Sequence, residues 1–127
     1  MARRAPPAVL LLVLLGLAAG CASPSDRLLA EGMGFLDDAI AIVEQNKGRE
    51  DAILDGLKGY VEAHREAFRD NTRRGRVLLD TLKGPEREAF LKRARDESAP
   101  RMARLQALVE PYARKVEMLA LVSSFNH

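Results

Sequence analysis

The chain has 127 residues, of which 30% are charged, with one cysteine, two histidines and no tryptophan. A single cysteine excludes an internal disulfide framework, so stability has to come from burying apolar side chains. Ala, Leu, Arg and Glu dominate the composition and aromatic residues are few, which favours helix.

Arg3 and Arg4 precede an apolar run from Ala8 to Ala19, and the run closes in Leu17-Ala18-Ala19-Gly20-Cys21. A charged start, about a dozen apolar residues and a small-residue ending form the layout of an export signal. The run falls short of the roughly 20 residues that cross a bilayer, and Pro6 and Pro7 bar a helical extension backwards. Its ending resembles the lipobox of bacterial lipoproteins, in which the cysteine thiol is acylated and the chain is then cut just before it. The resemblance covers residues 1–21. It implies that Gly20 is the last residue of the signal and that Cys21 becomes the lipidated first residue of the mature chain. Ala18 stands where the family most often has leucine. Several acyl chains on one residue suffice for stable anchoring, so the expected partner is a membrane, reached through the covalent lipid on Cys21, with no other cofactor. Ala22 stands where an aspartate would retain such a protein at the inner membrane, which implies the periplasmic face of the outer membrane in a Gram-negative host. The competing reading is an ordinary secreted protein, cut after an A-x-A-like site, with a free or intermolecularly paired cysteine.

Removing residues 1–20 leaves 107, enough for one domain with a modest core. The expected organisation is a signal over 1–20, a lipidated cysteine and short tether over 21–25, a helical bundle over 26–122 and a frayed tail over 123–127. Charge is uneven along that stretch. Asp26 to Glu66 holds ten acids and five bases, whereas Ala67 to His127 holds eight acids and thirteen bases. The mature chain is bipolar in sequence, and a packed bundle is able to mix the two halves.

A first helix is predicted from Ser25 or Asp26 to about Asn46, stopped by Gly48. Leu29, Met33, Leu36, Ile40 and Val43 define its apolar face, widened by Leu28, Phe35, Ala39 and Ile42, a breadth suited to two neighbouring helices. Gly32 and Gly34 weaken it or permit close packing. A second helix starts near Glu50 or Asp51 with Leu54, Leu57, Val61, His64 and Phe68 on one stripe, which resumes at Leu78, Leu79 and Leu82. Between these segments, Arg69 to Arg76 lacks large apolar side chains. The helix either continues through it to Lys83 or breaks near Asn71 to Gly75, and continuity is favoured because Gly75 is the one breaker. Gly84-Pro85 is the clearest turn signal. The third helix begins there, carries Phe90, Leu91 and Ala94, and continues in phase across Pro100 through Met102, Leu105, Val109, Tyr112, Val116 and Leu119, with a further bend at Pro111.

These lengths predict an all-α fold: an antiparallel three-helix bundle, or a four-helix one, built on a long helical hairpin folded at Gly84. The first helix covers the half away from that turn. Leu78, Leu79, Leu82 and Phe90 at the tip are then short of cover and need a fold-back, an oligomer or a partner.

Little in the sequence supports catalysis. His64 sits on an apolar stripe and reads as a core-edge residue, His127 has no neighbour of suitable type, and no ligand pair has transition-metal spacing. Asp37 and Asp38 point about 100° apart around a helix, which suits solvated surface better than joint acid–base work. No phosphate loop or nucleophile elbow occurs. The one local concentration is basic: Arg69, Arg73, Arg74 and Arg76. A hairpin pivot at Gly84 sets Arg73 and Arg76 near Asp96 and Arg93, with Lys92, Arg95, Arg101 and Arg104 extending the cluster. This is either a solvated helix face or a surface for phospholipid headgroups or an acidic protein partner. Compartment disfavours nucleic acid. Leu82 to Phe90 also resembles the Leu-Thr-Pro-Glu-Gln-Arg stretches of small helical periplasmic chaperones and stress-response regulators, without their threonine and glutamine.

The expected function is a non-enzymatic, membrane-anchored helical module for interaction or structure in the cell envelope, working with an envelope protein or as a homo-oligomer. The alternative is a chaperone-like or stress-response binder using exposed apolar surface on the hairpin.

Overall fold

The computed structural model describes residues 23–124. The expected signal over 1–20, with Gly20 and Cys21, and the last three residues of the expected tail lie outside them. The described residues form four helices and no strand: α1 Pro24–Gln45, α2 Glu50–Thr81, α3 Pro85–Val109 and α4 Lys115–Ser123. No helix among them is long and apolar enough to cross a membrane.

Local chemistry accounts for each boundary. Helix α1 is started by Ser23, whose hydroxyl accepts the Asp26 amide at 3.1 Å, while the Asp26 carboxylate accepts the Ser23 amide at 3.3 Å. This reciprocal cap, with Pro24 in the first turn, satisfies amides that the helix itself leaves open. The helix therefore takes in Pro24 and Ser25, which were expected in the tether. Helix α2 is continuous through Asn71 to Gly75. One side of that stretch leans on α1, where Asn71 Nδ2 donates to the Leu28 carbonyl at 3.2 Å and Gly75 lies against the Leu28 side chain, while its arginines stay exposed. Gly84 then adopts φ +55°, a conformation glycine takes without Cβ strain, and Pro85 opens α3. Helix α3 continues through Pro100, although proline has no amide to offer the Asp96 carbonyl.

The third helix ends earlier than its apolar stripe predicts. Around Pro111 the chain turns, and α4 starts afresh at Lys115. The apolar phase is lost there: Val116, expected inside, is 74% exposed, while Met118 and Val122 are buried instead. Ser123, expected in a frayed tail, closes α4.

Helices α2 and α3 do form an antiparallel pair joined at Gly84, but beyond the turn, where Arg87 Nη1 donates to the Leu79 carbonyl at 2.6 Å, they pack little on each other. Helix α1 lies between them and makes the most extensive contacts with both. It runs antiparallel to α2, as the pairs Leu28 with Asn71, Asp38 with Tyr60 and Ile42 with Gly56 show. It runs parallel to α3, with Asp26, Asp37 and Glu44 meeting Arg93, Arg101 and Arg104 in that order. The short α4 fills the space between α2 and α3 at the end away from the Gly84 turn. At that base the Tyr112 hydroxyl accepts the Gly48 amide at 2.7 Å, tying two turns together.

The core sits towards the base. Among the described residues fourteen apolar side chains are buried, all between Leu28 and Val122, so the chain from Ala22 onwards contains that described core. Helix α3 contributes none before Leu105. Phe35 meets Phe68 edge to face with ring centroids 4.3 Å apart, extending the core one layer towards the tip. Gly32 and Gly34 sit in an unbroken helix with room for a Cβ, whereas Gly56 is where α1 and α2 approach tightly. A Cβ built there would stand 2.8 Å from Cγ2 of Ile42, whose branched side chain is held to one rotamer in a helix.

That contact separates two glycines of the same helix. Gly56→Ala should lower stability by about 1–2 kcal/mol through overpacking, even though alanine is the better helix former. Gly59→Ala, with nothing within 4 Å of its Cβ position, should raise it by about 0.5–1 kcal/mol. Urea unfolding of residues 22–127 checks both signs.

Candidate functional site

The basic cluster divides once the helices are packed. Arg69 is exposed on the outer side of α2, beside Glu66 and Asp70. Arg73 is paired with Asp70 on the same helix. Arg74 reaches across to α1, with Nη2 2.6 Å from Glu31 and Nε 2.8 Å from Asp70. Arg76 is exposed and has no carboxylate within 4.0 Å among the described residues. The expected juxtaposition of Arg73 and Arg76 with Asp96 and Arg93 does not occur, because α1 intervenes. Asp96 is held by Lys92 at 2.6 Å, and Arg93 pairs with Asp26 and lies 3.3 Å from Glu97. Arg101 and Arg104 do not extend the cluster either: they bind Asp37 and Glu44 at 2.9 and 3.1 Å.

What the fold assembles instead is a site around the first turn of α1. Arg27, on the exposed side of that turn, comes beside Arg73 and Arg74 over a depression of about 470 Å³. Its apolar wall is Leu28, Val77 and Leu78, with Pro24 and Thr81 at the ends, and no acidic side chain lines it. Val77 is 59% exposed, high for a valine inside a long helix. Sequence reading passed over Arg27 and Val77. Nothing in their local pattern marks them, since their meeting depends on the register of α1 against α2.

On the other side of α1 lies a larger groove, about 610 Å³, between α2 and α3. Leu29, Met33, Leu36, Phe68, Leu91 and Met102 are among its lining residues. It is the continuation towards the tip of the space that α4 occupies at the base. The tip residues Leu78, Leu79, Leu82 and Phe90 are partly buried, and Leu91 is 36% exposed. The expectation of an incompletely covered tip therefore holds, with Val77 and Leu91 the most open large side chains there.

The polar groups at the edge of the core have structural partners. His64 Nδ1 lies 2.9 Å from the Tyr60 carbonyl and its ring stacks on Tyr60 with centroids 4.1 Å apart, the arrangement expected of a core-edge histidine. The Tyr60 hydroxyl donates to Asp38 at 2.6 Å; burial first, and that carboxylate second, push its pKa up. No group of three His, Cys, Asp or Glu side chains among the described residues is placed to hold a metal ion. Comparison with protein-family models, characterised proteins and solved structures finds no match to this chain.

The ion pairs do shift carboxylates. Arg93, and then the Ser23 cap, hold Asp26 below its usual value of 3.8, as Arg73 and Arg74 do for Asp70 and Arg114 and Lys58 for Glu117. A carboxylate depressed in the folded state contributes stability above its unfolded pKa and loses it as pH falls through the folded one. The unfolding temperature should therefore stay level from pH 7 to about 5 and fall below about pH 4. Arg93→Gln should make the acid limb shallower, because Asp26 then titrates nearer its ordinary value. Thermal melts followed by circular dichroism measure both limbs.

Proposed function

We propose that this protein is a non-enzymatic lipoprotein of the bacterial cell envelope, a helical module held at a membrane through Cys21. The observation that carries this reading is the join between the sequence motif and the fold. Leu17-Ala18-Ala19-Gly20-Cys21 has the lipobox pattern, and the capped start of α1 at Ser23 follows only two residues later. At roughly 3.3–3.6 Å per extended residue, Pro24 stands within about 11 Å of the cysteine. A fold that begins so close to an acylated residue is held against its membrane. Its neutral mixture of surface ion pairs suits a solvated module, and the polar groups nearest the core, His64 and Tyr60, have structural partners.

A second reading, a chaperone-like binder, is favoured by one observation: the open apolar groove between α2 and α3. Residues 22–127 should then suppress aggregation of a denatured client at equimolar ratio, and Leu91→Asp should abolish the effect. A purely anchoring or docking module does neither.

The anchor has its own test. Cys21→Ser should abolish incorporation of radiolabelled fatty acid and leave the unprocessed precursor at its full length. Normal processing of that variant would mean the export signal is of the ordinary secretory kind.

A further inference from the structure

Geometry restricts how the bundle meets a membrane if Cys21 carries lipid, and this inference rests on that reading for its orientation. Helix α1 is 22 residues long, about 33 Å. Its N-terminus lies at the tip end, level with Gly75 of α2 and Arg93 of α3. A tether of about 11 Å cannot run the length of α1, so the base cannot rest on the lipid while Cys21 is in it. From Gly75 to Thr81, α2 projects beyond the start of α1 by about 9 Å, close to the reach of the tether. The tip is thereby brought to the headgroup layer, and the depression beside Pro24 is brought there with it.

The depression has the chemistry of an amphiphile site. Arg27 has no carboxylate within 4.0 Å among the described residues, and Arg73 shares Asp70 with Arg74. At it, Arg27, Arg73 and Arg74 stand against Glu31 and Asp70, which pair with Arg73 and Arg74 from outside the lining. Cation is in surplus, and the lining itself holds no acid. Leu28, Val77 and Leu78 form an apolar wall beneath the guanidiniums. A phosphate with a hydrocarbon chain behind it satisfies both parts, whereas an acidic peptide would leave Val77 in water. The amide groups at the start of α1 take no part, because Ser23 and Asp26 already cap them.

We propose that the depression formed by Arg27, Leu28, Arg73, Arg74, Val77 and Leu78 seats an anionic glycerophospholipid of the bilayer, so that the hairpin tip rests on the membrane beside the anchor. The phosphate sits on Arg27 and Arg73, and the upper part of an acyl chain lies on Val77 and Leu78. The intrinsic affinity need only be weak, since a short tether supplies a millimolar effective concentration of lipid.

Because the natural chain lacks tryptophan, Val77→Trp places a sole fluorescent reporter at the tip. Val116→Trp places one at the base, more than 30 Å away along α2 by the rise per residue. The test uses residues 22–127, which contain the whole described core and carry no anchor, with helicity verified by circular dichroism. Vesicles of phosphatidylcholine containing phosphatidylglycerol should blue-shift the emission of the tip reporter, and brominated phosphatidylglycerol should quench it. The base reporter should change little, and pure phosphatidylcholine should move neither. Arg27→Gln with Arg73→Gln should weaken vesicle binding by about thirtyfold, and raising salt should weaken it further. Val77→Asp, with binding followed by sedimentation, should weaken it without altering the arginines. Inorganic phosphate at millimolar concentration should compete only partly, because it lacks the chain. Absence of quenching at the tip reporter, equal quenching at the base reporter, or binding indifferent to both sets of substitutions overturns the proposal. Saturable binding of inorganic phosphate without vesicle binding overturns it in favour of a free anion. These measurements do not involve Cys21: vesicle binding by an unlipidated chain would leave this site standing while the processing test refuted the anchor, and the reverse pair of results would refute the site alone.

Discussion

The placement of α1 between α2 and α3 is the constraint on which the rest of the molecule depends. An ordinary helical hairpin packs its two arms together and adds a third helix to the outside. Here the arms are held apart, and the acidic first helix separates two arginine-rich ones. Asp26, Asp37 and Glu44 meet Arg93, Arg101 and Arg104 along α3, and Glu31 meets Arg74 on α2. The charge asymmetry along the sequence is thus largely an internal complementarity. These pairs are solvent-exposed, so each contributes little to stability, with a typical range of about 0–1 kcal/mol. Their value is positional. A slip of one turn between α1 and α3 would face carboxylates with apolar side chains, whereas the hydrophobic face of α1 alone would tolerate it better.

Apolar packing is concentrated where four helices meet. Ile53, Leu54 and Leu57 of α2, Leu105 and Val109 of α3, and Met118 and Val122 of α4 surround Ala39, Ile40 and Val43 of α1. Helix α4 is only nine residues long, so this full layer ends about halfway along the bundle. Beyond it three helices remain, with a groove where a longer fourth helix would lie. The uneven burial along α3, which contributes nothing before Leu105, follows from that length difference. The base is the stable end and the tip is the end with surface to spare.

Most of the fold was legible in the sequence because its signals were local. The Gly84-Pro85 turn, the apolar face of α1 and the start of α2 at Glu50 all depend on residues within a few positions of one another. The misreadings arose where a tertiary contact decided. The hairpin was expected to pack arm on arm; in the fold α1 lies between the arms, with Asn71, Arg74 and Gly75 fitted against Leu28 and Glu31 near its start. Beyond Val109 the apolar stripe continued on paper through Val116, but Pro111 turned the chain and gave α4 a new phase. Arg73 and Arg74 were found by their clustering, yet their partner Arg27 was not. It sits on another helix, and only the antiparallel register of α1 and α2 brings it near.

That register also links the proposed anchor to the candidate surface. Had α1 run in the opposite sense, the same short tether would have placed the base nearest to Cys21. Instead the chain emerges at the tip, between the arginine-walled depression on one side and the apolar groove on the other. At the base, Tyr112 accepts the Gly48 amide and Arg114 is held by Asp51 and Glu117, while Lys47 has no carboxylate within reach among the described residues and Val116 lies open. At the tip, Arg27, Arg76 and Lys83 have no carboxylate within reach among the described residues, and Val77 lies open beside them. Unpaired cations next to exposed aliphatic surface are poorly served by water alone, since water solvates the first and not the second. A headgroup layer, anionic above and apolar beneath, serves both, and it is the phase that an acyl chain on Cys21 would bring within reach.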